Sequence, residues 1–169
     1  ANIDESVHGI IVQLPLKNSA GQKIEGDELT NILCQISPEK DVDGLSGGIF
    51  DSATAQAINW LLAGYNIELQ AKKIAIIGRG LLVGSPLARM WQRSGYNITV
   101  FDKNNSIEMK KRLSEFDVVV SAAGVPGLIT SEMLKFNAVV VDAGTASENG
   151  IIKGDVAESV RQSRKDITI

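Results

Sequence analysis

Ile74-Ala-Ile-Ile-Gly-Arg-Gly-Leu-Leu-Val-Gly84, an apolar run that breaks into a glycine-rich turn, decides how the rest of the chain is read. Four consecutive apolar residues suit a short strand buried on both faces, as in a parallel sheet covered by helices. The turn leads into Ser85-Pro86 and an amphipathic pattern over residues 85–94, and Pro86 fits the first helical turn, where a backbone N–H has no intrahelical partner. Glycines let the backbone bend tightly and approach a pyrophosphate, whose charge is favoured by the N–H groups and dipole at the helix start. The spacing at Gly78, Gly80 and Gly84 is G-x-G-x-x-x-G, not the commoner G-x-G-x-x-G, and the triplet gains meaning from the strand before it and the helix after it. Arg79 is placed to meet a phosphate with paired hydrogen bonds. The alternatives are a βα turn that holds no ligand and an arginine that is only a solvated charge.

Downstream, KKIAII, NITVF, DVVVSA and AVVVDA alternate with helical patterns at residues 85–94 and about 108–113. Apolar runs joined by short crossover helices predict an α/β, doubly wound parallel sheet of the Rossmann type. A strand over residues 151–156 and a helix near residues 157–164 are expected to close it, and residues 166–169 read as the start of another strand. The second strand ends at Asp102-Lys103, 24 residues after Gly78. A carboxylate there commonly accepts from the adenosine ribose 2′-hydroxyl and repels the 2′-phosphate of NADP, whereas Lys103 and Arg79 favour that phosphate. The residues alone leave NAD and NADP open, and Asp102 acting only as a cap is a third reading.

Upstream, HGIIVQL at residues 8–14 reads as a buried strand ended by Pro15. Apolar residues at 29, 32, 33 and 36 predict a helix over residues 27–36 with Asp27 as its N-cap. Residues 37–48 read as loop, and Ser52 is expected to cap a helix running to about Ala63, with Ile58, Leu61 and Leu62 on one face and Gly64 as the stop. The organisation expected is therefore part of a smaller α/β catalytic domain over residues 1–48 and a Rossmann domain over residues 49–169. Cys34, the only cysteine, sits in the apolar pattern of its helix and reads as a buried core thiol.

Charge and composition exclude several classes of function. The 17 basic and 20 acidic residues are mixed along the chain, with a net charge of -3, so no basic footprint for nucleic acid exists and an anionic small molecule must be held locally. One cysteine allows neither an internal disulfide nor a thiolate metal cluster, and no metal site is expected. No stretch approaches the roughly 18 apolar residues of a membrane span. A cytoplasmic setting is expected. Ala1 at the start and Asp166-Ile-Thr-Ile169 at the end suggest a piece of a longer protein.

Six segments, HGIIVQLPL (8–16), SPEKDVDGL (37–45), IGRGLLVGSPLA (77–88), AAGVPGLIT (122–130), VVVDAGT (139–145) and KGDV (153–156), resemble the ordered motifs of the bifunctional methylenetetrahydrofolate dehydrogenase/methenyltetrahydrofolate cyclohydrolases. The first two are the more diagnostic, since the others occur in many Rossmann domains. The resemblance implies oxidation of 5,10-methylenetetrahydrofolate with NADP, or NAD, to the methenyl form, followed by hydrolysis to 10-formyltetrahydrofolate. It also implies a homodimer, with folate in a cleft between an N-terminal catalytic domain and the Rossmann domain. Gln13 matches the family's glutamine near the reacting one-carbon bridge and Asp43 its pterin-binding aspartate. Gly78, Arg79, Gly80 and Thr145 match its dinucleotide contacts, with Gly84, Asp102 and Lys103 completing the expected cofactor set.

Those residue types suit the roles. A carboxylate accepts paired hydrogen bonds from a pterin's amino and ring N–H groups, and a glutamine both donates and accepts. The plainer readings are an acidic, turn-forming loop for Asp41 and Asp43 and a polar strand end for Gln13, while His8 reads as a strand-entry residue without a catalytic role. The sequence also departs from the family. Its Tyr-x-x-x-Lys helix, which supplies the general acid/base ahead of the Gln13 motif, has no counterpart here, and Lys17 lies on the wrong side of that motif. The connection after Gly44 is short and lacks the usual Cys-Thr-Pro element, Asp102-Lys103 stands where His-Ser is more frequent, and the Pro-Gly-Gly-Val-Gly-Pro loop is missing. The 169 residues alone are therefore expected to be inactive or nearly so.

Overall fold

The computed structural model describes residues 1–148 and 150–169, and the chain divides into two compact units, residues 1–53 and 54–169. In the second unit, β1 (Ile74–Ile77), β2 (Ile98–Phe101), β3 (Val118–Ser121) and β4 (Val139–Asp142) form a four-stranded sheet in the order β2-β1-β3-β4. Every pairing is parallel, with Ile74 opposite both Ile98 and Val118, and Val118 opposite Val139. All four residues of β1 and of β3 are buried, whereas the edge strand β2 is fully buried only at Phe101.

The two-residue strand period divides these apolar runs between two cores. Ile74, Ile76, Val118, Val120 and Val141 pack with Ala55, Ile58 and Leu62 of α2 (Ala53–Gly64) and with Leu87 and Trp91 of α3 (Gly84–Arg93). On the opposite face Ala75, Ile77, Val119 and Val140 pack with Met109 of α4 (Ser106–Arg112), Leu113, Phe116 and Val160 of α5 (Glu158–Ser163). Burial on both faces is why the strands read as continuous apolar runs without alternation. Trp91 is completely buried and its indole N–H donates to Asn59 Oδ1 at 3.2 Å, which satisfies its one polar atom. The doubly wound α/β fold expected from the alternating pattern is present.

Local departures have local causes. Leu61, expected on the buried face of α2, is half exposed, and Ala55 takes its place in the core. Gly64 is the last residue of α2 rather than a stop beyond it. Residues 151–156 do not form one strand closing the sheet. β5 (Ala146–Glu148) and β6 (Ile151–Lys153) make a separate antiparallel hairpin, and Val156 instead bridges Ile129. Gly154 and Asp155 turn the chain from the exposed hairpin into the interior, where Asp155 is 0% exposed. Thr168 bridges Val139 in parallel and its carbonyl accepts from Val140 N–H at 2.8 Å, an isolated pairing beside β4 in place of the strand expected at residues 166–169.

The first unit contains α1 (Gly26–Leu33) and otherwise loops. Residues 8–14 are not a buried strand: Ile11 is exposed, and among the described residues the segment has one isolated bridge, Ile10 to Asp41. Among the described residues no strand pairs along it, so the apolar run has no ladder to join. Glu25, not Asp27, occupies the N-cap of α1, and Asp27 lies in the first turn, where its charge complements the helix dipole. Cys34 follows Leu33 at the helix end and is exposed, because only Leu33 of α1 is buried. Among the described residues no helix is long and apolar enough to cross a membrane.

Candidate functional site

β1 and β3 are adjacent, but β2 lies on the far side of β1. The connections leaving β1 and β3 therefore run to opposite sides, creating a crevice at the carboxyl ends of the strands, the usual place for a ligand in such sheets. Gly78 directly follows β1. Its φ is +106°, its N–H donates to Phe101 O at 2.8 Å, and a Cβ there would lie 2.4 Å from Ala122 O. Gly84 begins α3, where a Cβ would lie 2.0 Å from Gly78 O. Backbone against backbone at both positions leaves room only for glycine. Gly80 differs, since a Cβ there would meet nothing within 4 Å. The first and third glycines thus close the turn on itself, and the middle one leaves open space.

Gly78, Arg79 and Gly80 line a cleft of about 510 Å³ together with Asp102, Lys103 and the loop at Ala122, Ala123 and Val125. Five of the residues expected to meet a dinucleotide are therefore brought together. Arg79 Nε lies 3.0 Å from Asp102 Oδ2, an ion pair between groups the sequence offered as separate contacts. Asp102 Oδ1 accepts from Asn104 N–H at 2.8 Å, and Asp102 N–H donates to Asn105 Oδ1 at 2.7 Å. Asp102 therefore caps the 3-10 turn Lys103–Asn105 while facing the cleft, so capping and cleft-lining coexist. The pair offsets the charge of Asp102, and with Arg79 59% exposed it contributes at most about 1 kcal/mol to stability.

Two expected contacts lie apart from this lining. Gly84 sits behind the turn against Gly78, and Thr145 is exposed beyond β4, with its carbonyl 3.5 Å from the position a Gly124 Cβ would take. In the first unit, Gln13 is exposed and its Nε2 donates to Leu14 O at 3.0 Å. Ile10 N–H donates to Lys40 O at 2.6 Å, which brings the Gln13 segment beside the acidic loop. That loop treats its two aspartates differently. Asp41 is 1% exposed and accepts from Ser46 N–H and Ser46 Oγ–H, closing the turn. Asp43 is half-buried and, among the described residues, makes no hydrogen bond or ion pair. Gly44, which follows Asp43, has φ +65°, and a Cβ there would lie 2.3 Å from Phe50 O. Among the described residues no group of three His, Cys, Asp or Glu is placed to hold a metal.

Sequence reasoning missed Asp142 and Asp155. Asp155 accepts from Ser121 Oγ–H at 2.6 Å, Ala123 N–H at 2.8 Å and Val125 N–H at 2.7 Å. Asp142 accepts from the N–H groups of Gly144, Asp155 and Val156. The segments KGDV and VVVDAGT carried both residues, but nothing in their spacing points to Ser121.

A parallel sheet of this order, with its glycine turn at the end of the first strand and a carboxylate at the end of the second, is a Rossmann-type fold of the NAD(P)-binding class. The sequence model for the tetrahydrofolate dehydrogenase/cyclohydrolase, NAD(P)-binding domain matches residues 52–168, and the chain belongs to this family. It is 38% identical to the bifunctional protein FolD of Staphylococcus carnosus over 99% of the chain and 60% of the relative, and 36% identical to that of Aquifex aeolicus over 99% and 59%. It superposes on the dehydrogenase/cyclohydrolase of Campylobacter jejuni with a TM-score of 0.77 at 33% identity, covering 99% of this chain and 60% of the other. The Trypanosoma brucei enzyme, solved with NADP cofactor and inhibitor, gives a TM-score of 0.80 at 29% identity, over 98% of this chain and 60% of that one. The chain thus spans about 60% of the length of the curated relatives it matches.

Proposed function

We propose that this chain carries the cofactor site and part of the folate site of a methylenetetrahydrofolate dehydrogenase/methenyltetrahydrofolate cyclohydrolase. The reaction is NADP-dependent oxidation of 5,10-methylenetetrahydrofolate, then hydrolysis of the methenyl form to 10-formyltetrahydrofolate, a one-carbon supply for purine biosynthesis in the cytoplasm. The observation that carries this reading is the cleft at the carboxyl ends of β1 and β2, where Gly78, Gly80 and Arg79 meet Asp102 and Lys103, in a chain that belongs to this family.

Roles follow from chemistry. The backbone at residues 78–80 receives the pyrophosphate, with Gly84 keeping the turn closed beneath it. Arg79 and Lys103 face the adenosine ribose and its 2′-phosphate, and because Asp102 is already engaged by Arg79 its repulsion of that phosphate is reduced. This favours NADP over NAD. Thr145 contributes a hydroxyl toward the dinucleotide. When bound, the nicotinamide supplies the hydride acceptor. Asp43, with its carboxylate uncommitted among the described residues, accepts from the pterin's amino and ring N–H groups. Gln13, whose amide oxygen remains an acceptor while Nε2 donates to Leu14 O, orients the one-carbon bridge. Residues 1–48 serve as part of the folate-binding domain and residues 49–169 as the cofactor domain of a homodimer.

The sequence holds no Tyr-x-x-x-Lys pattern, so proton transfer requires a group supplied by further residues. That gap favours a second reading, a catalytically silent dinucleotide-binding module. Reading the gene upstream of Ala1 separates the two. With a Tyr-x-x-x-Lys segment present, the whole protein is expected to reduce NADP when given 5,10-methylenetetrahydrofolate, and Asp43→Asn is expected to raise the folate KM about tenfold or more. Absence of reduced cofactor contradicts the enzyme reading.

A further inference from the structure

Asp155 of the KGDV segment has no part in the roles above, yet it is the most completely enclosed acidic side chain near the cleft, at 0% exposure. Its carboxylate accepts three hydrogen bonds, all from the end of β3 and the loop beyond: Ser121 Oγ–H, Ala123 N–H and Val125 N–H. Burying a carboxylate is costly unless it is fully hydrogen-bonded, so these donors are fixed where they stand. Ala123 and Val125 line the same cleft as Gly78 and Gly80.

Asp155 is itself held. Its N–H and that of Val156 donate to the two oxygens of Asp142 at 2.9 and 3.1 Å, and its carbonyl accepts from Ile129 N–H at 2.9 Å. Two glycines make room for the two carboxylates. A Cβ on Gly144 would lie 2.0 Å from the Asp155 carboxyl carbon, and one on Gly154 would lie 2.0 Å from Asp142 Oδ2. The ends of β3 and β4 and the chain leaving β6 are thereby locked together.

We infer that Asp155 is a positioning residue for dinucleotide binding, which fixes the Ala122–Ala123–Val125 wall of the cleft at the distance from the glycine turn that the ligand requires. The coupling to the turn is direct, because Ala122 N–H donates to Ile77 O at 2.7 Å and the Ala122 carbonyl is the atom that leaves Gly78 no room for a Cβ. A wall displaced by the loss of Asp155 moves the surface against which Gly78 is packed. The inference rests on the cofactor reading above.

The test uses the full 169-residue chain and Asp155→Asn, with NADP as the probe. Calorimetric titration is run at a temperature where both proteins have the same far-ultraviolet spectrum, and amide hydrogen exchange is followed without ligand. The expected result is faster exchange at Ala123 and Val125, by about tenfold or more, unchanged exchange in β1, and NADP binding weakened about tenfold. Ser121→Ala, which removes one donor and leaves two amides in place, is expected to give a smaller loss of affinity in the same direction and serves if Asp155→Asn does not fold. Faster exchange at Ala123 and Val125 with unchanged NADP affinity overturns the positioning role while leaving the cofactor reading intact. Failure of the unsubstituted chain to bind NADP overturns the cofactor reading and this inference with it.

Discussion

In residues 54–169 order comes from apolar burial on both faces of a sheet, whereas in residues 1–53 Leu33 and Leu45 are the buried apolar side chains among the described residues. The first unit relies instead on hydrogen bonds, such as those from Ser46 to Asp41 and from Lys40 Nζ to the carbonyls of Ala1 and Asp4. It leaves Ile3, Ile11, Ile49 and Phe50 exposed. Burial of apolar area is the dominant stabilising effect in folding, and hydrogen bonds add a smaller net amount each. The two units therefore differ in what a substitution can damage: packing in the second, loop shape in the first.

The largest effect is expected in the glycine turn. Gly84→Val sets side-chain atoms against Gly78 O, where even a Cβ would lie at 2.0 Å, and is expected to cost about 3 kcal/mol or more. Gly80→Ala meets open space and is expected to stay within about 1 kcal/mol of the parent. Urea denaturation followed by tryptophan fluorescence checks both, and equal midpoints would break the distinction between the two glycines. Next comes the contrast in cores. Trp91→Ala empties a completely buried site in residues 54–169 and is expected to cost about 3–5 kcal/mol. Leu33→Ala is expected to speed exchange within α1 and to leave the amides of β1 unaffected. A shared loss of protection would show that the units unfold together.

Smaller effects sharpen the reading of the acidic loop. Asp41→Asn weakens a buried acceptor of two hydrogen bonds and is expected to lose about 1–3 kcal/mol of local stability. Asp43→Asn is expected to change stability by less than about 0.5 kcal/mol. Hydrogen exchange at Ser46 measures the difference, and equal responses would remove the assignment of Asp41 to structure and Asp43 to ligand. The smallest effect concerns pH. Lys135, and then the Lys73 N–H, hold the Asp117 carboxyl below its ordinary value, and Arg164 does the same for Asp166. A carboxylate with a depressed folded pKa stabilises above its unfolded value, and that contribution is lost as pH falls through the folded one. Melting temperatures are therefore expected to hold at about pH 6 and to fall progressively below the ordinary aspartate value of 3.8, with Asp117→Asn flattening part of the decline.

How much of this was legible follows the same division. The runs IAII, VVVS and VVVD become strands because both their faces are covered, and the period that assigns each residue to a face needs no distant partner. HGIIVQL carries a similar β-branched apolar run but among the described residues pairs only at Ile10, and strand formation depends on a neighbour that a local pattern does not reveal. Leu33 and Cys34 lie in one helical pattern, yet only Leu33 is buried, because helical spacing identifies a face without saying how much of it is covered. The position of the cleft was legible in Gly78, Gly80 and Asp102, which follow the ends of β1 and β2 and line it. The Arg79–Asp102 ion pair and the Ser121–Asp155 hydrogen bond join residues 23 and 34 positions apart, and only the fold brings them together.

The most direct measurement of the central claim is calorimetric titration of the 169-residue chain with NADP and with NAD, repeated on Arg79→Ala and Asp102→Ser. NADP is expected to bind more tightly than NAD. Arg79→Ala, which removes a cation and leaves Asp102 unpaired, is expected to weaken NADP more than NAD. Asp102→Ser is expected to shift the ratio further toward NADP. Failure of both dinucleotides to bind at about millimolar concentration, a free-energy threshold near 4 kcal/mol, would contradict the assignment of the 78–84 turn as a working cofactor site.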